Sequence, residues 1–138
     1  GLWIAPAIGD EYTLSATVTD SQGREAVAMT RVEVVNMPPQ LSLDGEAELY
    51  NTYINTIVAT GSDPDTFPPT ILNFSAKINT GPGTLDLNTQ NYNSTAVCTI
   101  IWNGEPAQET YTVEIEVTVI DDGKNSVSNT FTFKVYPQ

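Results

Sequence analysis

The feature that most constrains this chain is an internal repeat, in which residues near the start recur about 100 positions later. Trp3 precedes Tyr12 by nine positions, and Trp102 precedes Tyr111 by the same nine. A strand-like run follows each tyrosine and ends in an acidic turn, which is Asp20-Ser21-Gln22-Gly23 in one copy and Asp121-Asp122-Gly123 in the other. The same residue types in the same order indicate one module that occurs more than once.

The repeat divides the chain into two parts. Each copy continues into a further strand and closes in a Pro-Gln pair, Pro39-Gln40 or Pro137-Gln138. We therefore interpret residues 37–138 as one complete unit and residues 1–36 as the C-terminal strands of a similar, partial unit. The prolines of Asn36-Met37-Pro38-Pro39 stiffen the junction and cannot donate ladder hydrogen bonds, as suits a linker between stacked domains.

Apolar and polar residues alternate along the predicted strands, so each strand has one buried face. In the longest run the apolar face is Tyr111, Val113, Ile115, Val117 and Val119. The other candidate strands are 12–20, 32–35, 40–43, 56–62, 71–78, 84–87, 96–102 and 131–135. Short strands with turns roughly every 8–12 residues predict an all-β, antiparallel Greek-key sandwich, whose penultimate strand can open with a corner tyrosine bonded to nearby backbone.

The composition excludes several classes of function. The 138 residues hold 17 Asp and Glu against 5 Lys and Arg, a formal net charge of −12. So few cations exclude nucleic-acid binding, and no apolar run approaches the roughly 20 residues of a membrane span. Histidine is absent, which excludes Ser-His and Cys-His couples and His metal ligands. Cys98 is the one cysteine, so an internal disulfide is excluded, and its apolar neighbours predict a buried thiol.

Four motifs spread over most of the chain carry a family resemblance. They are Tyr-Thr-Leu-Ser-Ala-Thr-Val-Thr-Asp-Ser-Gln-Gly (12–23), Asn-Met-Pro-Pro (36–39), Gly-Ser-Asp-Pro-Asp (61–65) and Val-Ile-Asp-Asp-Gly (119–123). In them the chain resembles the tandem cadherin-like, PKD and immunoglobulin-like modules of prokaryotic surface and secreted proteins. The resemblance implies sandwiches arranged in arrays that serve as stalks, spacers and adhesive surfaces.

The same resemblance implies candidate calcium ligands, because some cadherin-like relatives hold calcium between successive domains. Carried over by motif, these ligands are Asp20, Asn36, Asp63, Asp65 and Asp121. Calcium takes roughly six to eight oxygen ligands, and two carboxylates that flank a proline could converge on one ion. The alternative is that Asp-Pro-Asp and Asp-Asp-Gly form solvated turns, in which Asp side chains accept hydrogen bonds from backbone amides.

Aromatic side chains offer a second class of function, the binding of sugars by stacking. The candidate carbohydrate platform is Tyr50 and Tyr53, which lie close to Asn51 and Asn55 in the sequence. This pattern predicts, as an alternative, a carbohydrate-binding accessory module of a secreted hydrolase.

Paired carboxylates are the one arrangement in the chain that could support hydrolysis. Glu114 and Glu116 lie two positions apart on one strand, about 7 Å from each other, within the range that glycosidases use. Their face also carries Thr112 and Thr118 and is more simply the solvated side of a sheet. We therefore assign no catalytic residues and predict that the chain is not an enzyme.

A third of a sandwich cannot cover its own apolar faces, so residues 1–36 need a partner. Three alternatives are open: strands upstream in a longer chain, packing of residues 1–36 into the following domain, or strands from a neighbouring copy. In the third case protomers would join head to tail into a filament. The predicted function is a non-catalytic structural and adhesive module at the cell surface, whose partners are neighbouring repeats, other copies of itself, or a carbohydrate or cell-surface ligand.

Overall fold

A computed structural model describes residues 10–35, 37–64, 71–93, 95–122 and 125–138. Within these residues every regular element is a β-strand. The strands are β1 (Asp10–Thr19), β2 (Glu25–Val34), β3 (Gln40–Asp44), β4 (Glu48–Leu49), β5 (Ile54–Ser62), β6 (Asn73–Thr80), β7 (Thr84–Tyr92), β8 (Thr95–Asn103), β9 (Tyr111–Ile120) and β10 (Ser126–Val135).

Strands β3 to β10 form two four-stranded sheets that pack face to face. The strand order is β3-β5-β8-β7 in one sheet and β4-β10-β9-β6 in the other, and every pair is antiparallel except β4 with β10. Without the short β4, this is the strand order of an immunoglobulin constant-type sandwich, with A, B, E and D opposite C, F and G. The predicted all-β Greek-key sandwich is therefore confirmed.

The core lies between the sheets and is built by the predicted alternation. Along β8 and β9 every second side chain is fully buried, and the intervening ones are half-buried or exposed. The buried residues of these strands are Ala96, Cys98, Ile100, Trp102, Val113, Ile115, Val117 and Val119. The Cys98 thiol is buried, as its apolar neighbours predict.

The start of β9 contains the predicted corner tyrosine. The Tyr111 hydroxyl donates a hydrogen bond to the backbone oxygen of Glu105 at 2.7 Å, which ties the loop before β9 to the strand. Partial burial raises the pKa of the Tyr111 phenol, so it stays protonated and keeps donating. Two residues later, where antibody domains have the second cysteine of the inter-sheet disulfide, this chain has the fully buried Val113.

Strands β1 and β2 form a hairpin in a sheet of their own. In this hairpin Tyr12 pairs with Val32, and in the β9–β10 hairpin Tyr111 pairs with Val135. The two hairpins thus share a tyrosine–valine pair near their open ends, which supports the repeat. The β9–β10 hairpin is longer than the β1–β2 hairpin. Residues of β2 and β10 therefore correspond by how they pair with the tyrosine strand, and not by a constant spacing of about 100 residues in the sequence.

Several strands differ in extent from the prediction. Strand β7 continues to Tyr92 and β10 begins at Ser126, because polar Asn, Gln, Ser and Thr residues extend these ladders beyond the apolar runs. Strand β2 begins at Glu25, because its pairing with β1 continues through Ala26–Arg31 to the turn. The sequence also missed β4, since two residues show no periodicity. Its Leu49 is nonetheless buried, and Asn55 Nδ2 donates to the oxygen of Glu46 at 3.0 Å beside it.

The largest buried side chain, Trp102, fits between two glycines. Its indole meets Phe133 edge to face at 5.0 Å, and its Nε1 donates to the oxygen of Pro82 at 2.9 Å. A Cβ at Gly104 would overlap the six-membered ring of this indole, and one at Gly83 would press on its Nε1. Gly83 also has a φ of 118°, which disfavours other residues there.

We expect Gly104→Ala to lower the free energy of unfolding by about 1–3 kcal/mol, because the added methyl overlaps the indole. The cost should be smaller by at least about 0.5 kcal/mol in a Trp102→Phe background, which lacks the overlapping ring. Chemical denaturation of the wild type, both single variants and the double variant measures this coupling. An equal cost of Gly104→Ala in both backgrounds would contradict the assignment.

Candidate functional site

Strands β5 and β9 face each other across the core and run in the same direction. Ile57 of β5 and Phe131 of β10 both lie next to Gly45, and Phe131 pairs with Ile115 of β9. Ile57 and Ile115 are therefore at about the same level in the sandwich. Four residues further along each strand, a Cβ at Gly61 would lie 3.3 Å from Cγ2 of Val119. Gly61 of β5 and Val119 of β9 are therefore at the same level as well, near the end of the sandwich at which both strands finish.

Two of the predicted calcium ligands lie at this end. Asp63 follows β5 and is 4% exposed, and Asp121 follows β9 and is 2% exposed. Each is two residues beyond the Gly61–Val119 contact, so both face the interior at the same level. Buried carboxylates are rare unless they are hydrogen-bonded or bind a cation, so this end of the sandwich is the candidate cation site.

Asp121 also organises the turn between β9 and β10. Its Oδ1 accepts a hydrogen bond from the Asn125 amide at 2.8 Å, and its own amide donates to the oxygen of Asn125 at 3.0 Å. This supports the hairpin-turn interpretation for one of its oxygens. The turn and a cation could share this carboxylate, because each oxygen has more than one lone pair.

Asp20 makes the corresponding turn between β1 and β2. Its Oδ1 accepts the amides of Gln22 and Arg24, each at 2.9 Å, and its Oδ2 contacts Nε of Arg24 at 2.7 Å. The hydrogen bond from the Arg24 amide, helped by the guanidinium, holds the pKa of Asp20 below its ordinary value. The Asp20 amide donates to the Arg24 oxygen at 2.8 Å, the pattern seen between Asp121 and Asn125.

The buried pair belongs to the sandwich, whereas Asp20 belongs to the separate β1–β2 hairpin. It lies at the tip of the hairpin, about 30 Å along β1 from Glu11 at the open end. Asp63 lies next to Ser62, which pairs with Gln40 just after the linker.

The remaining predicted calcium ligands, Asn36 and Asp65, lie outside the described residues. Among the residues that the structure describes, no group of three or more His, Cys, Asp or Glu side chains is arranged to hold a metal ion. Among the described residues, a cation at Asp63 and Asp121 would therefore draw its further oxygens from main-chain carbonyls and water.

A second candidate site lies beside β4, where two tyrosines stack. Tyr50 and Tyr136 are parallel, with ring centroids 4.6 Å apart and an interplanar angle of 3°. Their hydroxyls donate to the Glu48 carboxylate at 3.2 Å and 3.0 Å. The bond to Glu48 is the main reason that the pKa of Tyr136 rises to about 12. An open cavity of about 530 Å³ adjoins this pair and is lined by Glu46, Ala47, Glu48, Tyr50, Thr132, Phe133 and Lys134.

The predicted carbohydrate platform is therefore arranged differently from the sequence prediction. Tyr50 is exposed at this cavity, whereas Tyr53 is half-buried and packs against the hydrophobic core. Tyr136 was not predicted from the sequence as part of this platform, and it reaches Tyr50 because β4 pairs in parallel with β10. A signal for that pairing was absent, since β4 is only two residues long.

The Glu114–Glu116 face is the solvent-facing side of its sheet. Glu116 forms an ion pair with Lys77 at 3.6 Å and accepts a hydrogen bond from Asn79 at 3.2 Å. Thr118 on the same face bonds Ser128 at 2.6 Å. These contacts connect neighbouring strands of the sheet, as the solvated-face interpretation predicts.

The β1–β2 hairpin presents an apolar face that we call the hairpin face. The register places its residues on one side of the two-stranded sheet. They are Tyr12, Leu14, Ala16, Val18, Ala26, Ala28 and Val32. Val18 is 69% exposed, whereas the valines on the apolar face of β9, which are Val113, Val117 and Val119, are fully buried against the opposite sheet.

No family model matches the chain, and no curated protein matches it. A comparison with solved structures finds one described as "PcdhgB3 EC1-4 in 50 mM HEPES", at 17% identity and a TM-score of 0.40. The alignment covers 94% of this chain and 32% of that one, so this chain spans about a third of that structure's length. In the described part of the chain, no helix is long and apolar enough to span a membrane.

Proposed function

We propose that this chain is a non-catalytic structural and adhesive module of an extracellular repeat protein. The observation that carries the proposal is the pair of like hairpins. β9 and β10 bury their apolar side under an opposing sheet, whereas β1 and β2 carry the same tyrosine–valine pair and the same aspartate turn with no such sheet among the described residues. A module that ends one β-unit and begins the next is suited to an array that acts as a stalk or spacer.

We also propose that strands of another copy cover the hairpin face and join protomers into a filament. A two-stranded hairpin alone is marginally stable, and exposed strand edges favour pairing with other strands. Such a contact joins two different surfaces, so it propagates from copy to copy without closing.

The filament form predicts that the mass in solution rises with protein concentration in the micromolar range. Ala28→Lys places a charge in the centre of the hairpin face and should return the protein to a monomer in this micromolar range. Ser15→Lys adds the same charge on the other side of the hairpin and should leave assembly intact. Sedimentation velocity measures both. A wild-type monomer at every concentration would contradict the filament and leave strands of the same chain as the cover.

Calcium binding at Asp63 and Asp121 is proposed as part of the same module. The burial of both carboxylates at one end of the sandwich supports it, since a bound cation would offset their desolvation. Calcium favours oxygen ligands of this kind, and the cation would brace the end of the sandwich next to the linker.

At a calcium concentration about 100 times the dissociation constant, we expect the melting temperature to rise by roughly 5–10 °C over that in chelator. Asp63→Asn should remove this rise, because it deletes one charge from the buried pair. Asp122→Asn is the matched control, since Asp122 is the exposed neighbour of Asp121. A melting temperature that calcium does not change in the wild type would exclude the site.

The second candidate function is a carbohydrate-binding accessory module. The stacked tyrosine pair at the cavity beside β4 supports it, because flat aromatic rings next to carboxylate, hydroxyl and ammonium groups are suited to sugar rings and their hydroxyls. The platform for this function is Tyr50 with Tyr136.

For this function we expect retention of the protein on an insoluble polysaccharide, weakened at least about tenfold by Tyr50→Ala through loss of the stacking surface. Tyr92→Ala is the control, because Tyr92 and Tyr50 are equally exposed, at 59% each, and Tyr92 lies on β7. Depletion of the protein from solution by the sedimented insoluble polysaccharide provides the measurement. Equal weakening by both substitutions, or no retention of the wild type, would count against the carbohydrate function.

A further inference from the structure

The sandwich has four edge strands among its described residues, and they differ in how far they are protected against pairing with other strands. The edges are β3 and β7 in one sheet and β4 and β6 in the other. An edge strand exposes backbone donors and acceptors, and natural proteins limit such edges by shortness, bulges, prolines or charged side chains, lysine above all.

Three of these edges carry such protection. Strand β3 has five residues and β4 has two, so neither offers a long ladder. Strand β6 has eight residues, but its register shifts between Ile78 and Thr80, and it carries Lys77. The longest continuous ladder on any of them is the six residues Asn73–Ile78 of β6, which include Lys77.

The fourth edge, β7, has almost no protection against pairing with another strand. Its nine residues, Thr84–Tyr92, pair with β8 in an uninterrupted register and include no lysine, arginine or proline. Asp86 is its one charged residue, although the chain as a whole has a net charge of −12. Most of the strand is exposed, including Leu87, which faces the core side yet is 39% exposed.

We propose that β7 pairs with β7 of a second copy of this chain, antiparallel and centred on Asn88, so that one sheet continues through both copies. In this register Asp86 lies opposite Gln90, Thr84 opposite Tyr92, and Leu87 opposite Thr89. Like charges do not meet, and each Leu87 gains cover from the partner. The contact is isologous, because both copies use the same strand, and it closes as a dimer.

The scarcity of charge on β7 favours a second copy of this chain, and not a cationic protein, as the strand that pairs with it. A cationic partner would be expected to contact the acidic surfaces, whereas β7 is the long edge from which that charge is largely missing. An interface made by one strand from each copy falls below the standard size of about 1,200–2,000 Å², so the dimer is weak. Net charge opposes it, and added salt should strengthen it by screening.

The test uses the Ala28→Lys chain, so that association through the hairpin face does not contribute. Sedimentation equilibrium up to about 1 mM protein should detect a dimer, tighter in about 0.5 M than in 0.05 M salt. Asn88→Lys places two lysines opposite each other across the two-fold axis and should weaken the dimer by about two- to fivefold. Ser42→Lys adds the same charge to the β3 edge of the same sheet and should have no such effect.

Two further measurements keep the result unambiguous. The melting temperature of Asn88→Lys, measured at a concentration where the wild type is monomeric, should match that of Ser42→Lys, because both side chains are on exposed strand positions. Amide hydrogen exchange should slow in β7 as concentration rises and stay unchanged in β3. A monomer up to about 1 mM, or a dimer that Asn88→Lys leaves intact, would overturn the proposal.

Discussion

The contact of Trp102 with Phe133 is the interaction on which the rest of the sandwich depends. These rings meet edge to face at 5.0 Å and join β8 of one sheet to β10 of the other. The indole Nε1 also holds the β6–β7 turn through Pro82, and the Gly83 and Gly104 backbones close around the ring. One side chain thereby fixes the sheet separation and the position from which the unprotected edge β7 starts.

The two hairpins separate what local sequence specifies from what packing specifies. Asp20 and Asp121 form the same turn with the residue four positions later, although Asp121 is buried and Asp20 lies at an exposed tip. The turn therefore needs no core around it. What differs is the cover over the apolar side of each hairpin, which comes from residues distant in sequence or from other strands.

The same distinction decides how much could be predicted from the sequence. Period-two alternation in β8 and β9 indicated the buried faces, and the tyrosine before β9 indicated the corner hydrogen bond to Glu105. The pairing of β4 with β10 left no periodic signal, so the meeting of Tyr50 with Tyr136, whose hydroxyl bonds Glu48 88 residues away, could not be predicted. The approach of Asp63 to the level of Asp121 likewise depends on how the sheets face each other.

The distribution of charge links the fold to association. A net charge of −12 at 138 residues repels other copies over most of the surface, and physiological salt screens that repulsion only beyond about 8 Å. The proposed association would therefore use strips where charge is scarce and backbone or apolar groups are open. The hairpin face and the β7 edge are two such strips, and they lie on different strands. An acidic surface of this kind disfavours approaches that bring carboxylates together, so the proposed contacts use surfaces that carry few of them.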